Sequence, residues 1–97
     1  MVVISKTILN KFIEKYPKSA DPVFRWWVLC KENNWKEFSE MKKSFPSADA
    51  IGNGLYVFNI GGNKFRIVAR IFFSVRTIFV RFIGTHAQYD KVELSNL

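Results

Sequence analysis

Arg66, Arg70, Arg81 and His86 are the residues of this chain whose types suit chemistry on an anion. Guanidinium forks hold phosphate oxygens in pairs and keep their charge at any physiological pH. Histidine is the one side chain whose unperturbed titration falls near neutrality, so it serves as acid or base there. Tyr89 follows His86 by three residues and can donate a proton or stack on a base. Lys64, Asn59 and Asn63 lie just upstream of Arg66 and complete the set of groups available to a polyanion. Each has a plainer reading: cations solvate the outer face of many antiparallel sheets, and a lone histidine or tyrosine after a strand is often only a surface residue. The surroundings favour chemistry. Between Ala50 and Tyr89 there are five cations and no acid, and all eight acidic residues lie at or before Asp49 or at or after Asp90. A face that is merely solvated normally mixes both signs.

The elements that must position these residues are strands. From Asn63 to Phe73 the chain alternates, with Phe65, Ile67, Ala69, Ile71 and Phe73 on one side. Lys64, Arg66, Val68, Arg70 and Phe72 fall on the other. Thr77 to His86 repeats the device, placing Ile78, Val80 and Phe82 opposite Phe79 and Arg81. Leu55 to Ile60 reads as a preceding strand, Gly61-Gly62-Asn63 as a tight turn, and Ser74 to Arg76 as a short connection, so the three strands form an antiparallel meander. The glycine pair lacks phosphate-loop spacing and no helix follows it. The segment from Thr85 onward leaves the sheet edge as a tail carrying His86, Tyr89 and Asp90.

Upstream, Val2 to Ile4 is a short β-branched strand and Ser5 a helix N-cap. Ile8, Leu9, Phe12, Ile13 and Tyr16 form the apolar stripe of a helix that Pro17 ends. Asp21 as N-cap and Pro22 in the first turn open a second helix, whose inner stripe is Val23, Trp26, Trp27 and Cys30. Asn33-Asn34 stops it, Phe38 to Ser44 is a shorter helical piece, and Ser47 to Gly54 reads as a loop. The tryptophans read as core, not as a base-stacking platform. The order is β-α-α-(α)-β-β-β, an α+β domain with helices on one sheet face and a basic face at least partly open.

With 97 residues there is one domain, 1–97, and one core. The net charge of +7 points to an anionic partner such as nucleic acid. Cys30 is alone, which excludes an intramolecular disulfide and fits a reducing compartment. One Cys, one His and scattered carboxylates give no metal-ligand spacing, and no cofactor motif is present. The N-terminus lacks signal-peptide features and no apolar run approaches the ~20 residues of a spanning helix, so the expected address is the cytoplasm and no membrane partner is expected.

The run FPSADAIGNGLYVFNIGGNKFRIVARI, followed by IFVRFIGTHAQYD, resembles the HigB family of toxins of type II toxin–antitoxin modules, within the RelE-like group. The likeness extends to the opening VIS strand and the DPVFRWW helix, and is most specific in NIGGNKFRI with GTHxxYD. It implies a RelE-like fold and a ribosome-dependent mRNA endoribonuclease acting in the ribosomal A site. The implied silencing partner is a HigA-like helix-turn-helix antitoxin. On this resemblance Arg66 matches the arginine at the start of the penultimate strand, and His86, Tyr89 and Asp90 occupy the segment that carries catalytic residues. The implied chemistry is attack of a ribose 2′-OH on the adjacent phosphodiester. Arg66 and Arg81 would stabilise the transition state, His86 would act as acid or base with Tyr89 as helper, and Lys64, Arg70, Asn59 and Asn63 would hold the RNA. Two rival readings stand beside it: a gyrase-targeting toxin of the ParE type, and a non-catalytic RNA-binding domain with strong salt dependence but no cleavage.

Overall fold

The computed structural model describes residues 1–4 and 6–97. The β-branched run at the N-terminus forms β1 (Val2–Ile4), and α1 (Lys6–Lys15) buries Leu9 and Phe12 from its apolar stripe. Ser5, the expected N-cap, lies outside the described residues. After a short turn over Pro17–Ser19, α2 (Ala20–Glu32) buries Val23, Trp26 and Cys30, while Trp27 is half-buried. Asp21 is not the N-cap: α2 opens at Ala20, and Asp21 sits in its first turn. A negative charge in the first turn still favours the positive end of the helix dipole. α3 (Phe38–Ser44) follows as expected.

Four further strands complete the sheet: β2 (Asp49–Gly52), β3 (Leu55–Ile60), β4 (Phe65–Phe72) and β5 (Thr77–Thr85). Their order is β1-β5-β4-β3-β2; β1 joins β5 in parallel and every other pairing is antiparallel. β2 falls where a loop was expected. Its small residues carry no alternation, and it is made a strand by pairing with β3 across a turn in which Gly52, Asn53 and Gly54 all have positive φ. The tail is also more ordered than expected, since α4 (His86–Lys91) starts directly at the end of β5.

The expected face pattern of β5 holds only to its middle. Ala69 of β4 pairs with Val80, but Val68 pairs with Phe82, so Arg81 is an extra residue in a β-bulge. The bulge shifts parity by one. Ile83, not Phe82, therefore takes the helix-side position and is buried in the main core, while Phe82 turns to the opposite face.

The main core lies between helices and sheet, where Trp26 meets Phe58 edge-on with ring centroids 5.4 Å apart. Trp35 is buried in the same cluster, which agrees with the tryptophans being core. On the other face Leu55, Val57 and Val68 form a second, smaller cluster beneath Ile51, Phe82, Tyr89 and Leu97. The face expected to be open is thus capped over its centre, and its cations stand toward the two ends of β4. Among the described residues no helix is long and apolar enough to cross a membrane.

Cys30 is fully buried, and burial pushes its thiol far above the ordinary range. The native protein should therefore resist Ellman's reagent at pH 8, when an exposed thiol is partly ionised, and release one equivalent of colour on unfolding in guanidinium. Fast labelling of the native state would contradict this packing.

Candidate active site

Arg66 stands near the start of β4 between two register partners, Asn59 of β3 and Gly84 of β5. Gly84 is closely packed: a Cβ there would come 2.5 Å from Phe82 Cζ and 2.9 Å from Gln88 Oε1, so those side chains would have to move. The strand then stops and α4 begins through a capping box. Thr85 Oγ1 accepts from the Gln88 N–H at 3.2 Å and Gln88 Oε1 accepts from the Thr85 N–H at 2.8 Å. The His86 N–H donates to the Lys64 carbonyl at 3.3 Å, tying the first residue of α4 to the β3–β4 hairpin. Helical spacing then brings His86, Tyr89 and Asp90 to one side, beside Arg66.

The four side chains form a connected group. Arg66 Nη2 lies 3.0 Å from His86 Nε2, and His86 Nδ1 lies 3.4 Å from Asp90 Oδ2. The Arg66 guanidinium also stands over the Tyr89 ring, 4.7 Å from its centroid, and Phe82 backs that ring at 6.3 Å. An arginine has no acceptor, so a hydrogen bond between Nη2 and Nε2 requires a lone pair on Nε2. The ring proton then belongs on Nδ1, facing the Asp90 carboxylate. In that tautomer Nε2 presents a lone pair beside a permanent cation, which is the arrangement a general base next to an anion site needs. Arg66 Nε is buried without a partner, as is Oδ1 of its cross-strand neighbour Asn59.

The other expected site residues are dispersed. Lys64 is exposed at the hairpin, and Asn63 occupies the turn with φ of 70°. Arg70 shares the face of Arg66 but lies four residues on, roughly 13 Å along the strand; its Nη1 donates to the Asn53 carbonyl. Arg81, in the bulge, donates from Nε to the Leu97 carbonyl at 3.0 Å and borders a groove with Ile4, Thr7, Ile8 and Lys11. The structure therefore brings together Arg66, His86 and Tyr89, sets Asn59 next to them, and leaves Arg70 and Arg81 elsewhere on the sheet. Sequence reasoning did not find the orienting contact of Asp90 or the roles of Gly84, Thr85 and Gln88. The T-x-x-Q spacing from Thr85 to Gln88 was the available signal for the helix start.

The molecule is an α+β sheet with helices on one face and an arginine–histidine cluster where its last strand meets a short helix. Residues 19–92 match the model of the HigB toxin family, described as the RelE-like toxic component of a toxin–antitoxin system, and the chain belongs to that family. It is 35% identical over 94 residues to an mRNA interferase HigB of Escherichia coli O6:H1 (strain CFT073), covering 95% of this chain and 91% of that one. It is 33% identical over 92 residues to the mRNA interferase toxin HigB of Escherichia coli (strain K12), covering 93% and 88%. The mRNA interferase HigB of Shigella flexneri matches to the same extent, at 33% over 92 residues.

Proposed function

We propose that this chain is an mRNA endoribonuclease that cuts in the ribosomal A site and is neutralised by a HigA-like helix-turn-helix antitoxin. The observation that carries the reading is the Arg66–His86–Asp90 chain, in which His86 Nε2 lies against the Arg66 guanidinium and Nδ1 against the Asp90 carboxylate. Family membership and relatives named mRNA interferases support the same activity.

In this mechanism the scissile phosphate takes the place of His86 as the partner of Arg66. Nε2 is then free to remove the proton from the ribose 2′-OH. The 2′-oxygen bonds to phosphorus, the bond from phosphorus to the 5′-oxygen breaks, and the products are a 2′,3′-cyclic phosphate and a 5′-OH. Arg66 offsets the charge that builds on the non-bridging oxygens, with Arg81 adding to the field. Tyr89 keeps Arg66 in plane and is the nearest candidate to protonate the leaving oxygen. Lys64, Arg70, Asn59 and Asn63 hold the flanking backbone, and no cofactor enters.

Primer extension on a defined mRNA in a translating extract tests the proposal. Cuts in codon register with 2′,3′-cyclic ends are expected, and DNA, which lacks the attacking hydroxyl, is expected to survive. Cleavage of DNA would refute the mechanism. Uncut mRNA with impaired gyrase would favour the ParE-type alternative.

Asp90→Asn should reduce the cleavage rate roughly tenfold, because the amide no longer selects the Nδ1-protonated tautomer. The loss is smaller than for a buried triad aspartate because both partners are more than half exposed, at 52% and 60% of the side chain, and water can substitute. A rate equal to wild type would remove Asp90 from the mechanism.

A further inference from the structure

We propose that the far end of β4 carries a second RNA subsite, in which Phe72 stacks a nucleobase and Arg70 holds a neighbouring phosphate. Arg66, Val68, Arg70 and Phe72 occupy one face of β4, so the far end lies in line with the catalytic cluster, roughly 20 Å from Arg66 at Phe72. An extended single strand crosses that span in a few nucleotides. Phe72 is 47% exposed. Its aromatic neighbour among the described residues is Phe79, which meets it edge-on with centroids 5.8 Å apart and an interplanar angle of 87°. Phe79 is the register partner of Arg70 on β5, so two aromatic rings and a guanidinium share one surface. Ile4, paired with Phe79 and 42% exposed, extends the apolar margin.

Arg70 braces the β2–β3 turn with part of its guanidinium only, and Phe72 stands outside the core. Phe72 belongs to neither buried cluster. The Arg70 stem passes over Gly54 at 3.7 Å and its Nη1 is fixed by the Asn53 carbonyl, while its remaining donors have no protein partner among the described residues. A bare aromatic beside an anchored cation, within a stretch that has no acid from Ala50 to Tyr89, has the composition of a single-strand binding surface. The apolar saddle of Leu97 and Phe82 separates the two ends, so each end is a distinct subsite on one path.

The ligand assignment rests on the endoribonuclease reading, but its test is separable. Binding is followed by fluorescence polarisation, using oligoribonucleotides with a 2′-deoxy sugar at the scissile position. One is a trinucleotide, and two others extend it by four nucleotides on the 5′ or the 3′ side. Wild-type protein should bind one extended form roughly tenfold more tightly than the trinucleotide. Phe72→Ala should erase that gain, Phe72→Trp should keep it, and all three proteins should bind the trinucleotide alike. Arg70→Ala should lower the salt slope for the extended form by about 0.7. If extension adds nothing in the wild type, or Phe72→Ala keeps the gain, the subsite is overturned even where Arg66-dependent cleavage persists. Loss of antitoxin capture by Phe72→Ala with RNA binding unchanged would mark the patch as a protein surface and refute the proposal.

Discussion

Arg66→Ala is expected to lower cleavage of a defined mRNA by about 10³-fold, within the range seen when a cation or donor that meets transition-state charge is removed. Among the described residues the guanidinium is the one charged group in direct contact with both His86 and Tyr89. Its removal also frees His86 from the hydrogen bond that orients Nε2. Arg66→Lys should recover little, because an ammonium cannot offer two parallel donors to phosphate while lying flat on the Tyr89 ring. Stability should change little: Arg66 is half-buried and its Nε has no partner to lose. Single-turnover cleavage with a parallel thermal melt checks both parts. A variant that melts like wild type and still cuts within tenfold of its rate would exclude Arg66 from the chemistry.

His86→Gln is the more discriminating substitution at the second position. Glutamine retains an oxygen that can accept from Arg66 but cannot carry a proton between pH 5 and 9. The expected loss is 10²- to 10⁴-fold, the usual span for a positioned acid–base group, with RNA affinity unchanged. A full rate with Gln in place would reduce His86 to a spacer for Arg66.

These two predictions concern residues that the sequence singled out by type, and much of their setting was legible as well. The α1 stripe, the extent of α3, the β3–β4 hairpin and the parity of β4 all follow from short-range patterns. A period of 2 or 3.6, a proline or a glycine pair acts within a few residues, and the backbone obeys it wherever burial agrees. The acid-free stretch from Ala50 to Tyr89 likewise singled out the half of the chain in which Arg66, His86 and Tyr89 come together.

Tertiary structure decided what depends on register. The bulge at Arg81 reverses the faces of the second half of β5, turning Phe82 toward Tyr89 and leaving Arg81 at the groove beside α1. Nothing in TIFVRFIGT announces the bulge, because alternation is a property of one strand and a bulge is a property of a pair. β2 was hidden for a related reason: Asp49–Gly52 has little strand character of its own and is held by pairing with β3. The Arg66–His86 pair is the clearest case. Arg66 and His86 are 20 residues apart, and they meet because Gly84 pairs with Arg66 while the Thr85–Gln88 cap turns the chain within one residue of the strand end. Residue type determined which groups could do the chemistry, whereas pairing across strands, a cooperative property of the folded sheet, determined which of them touch.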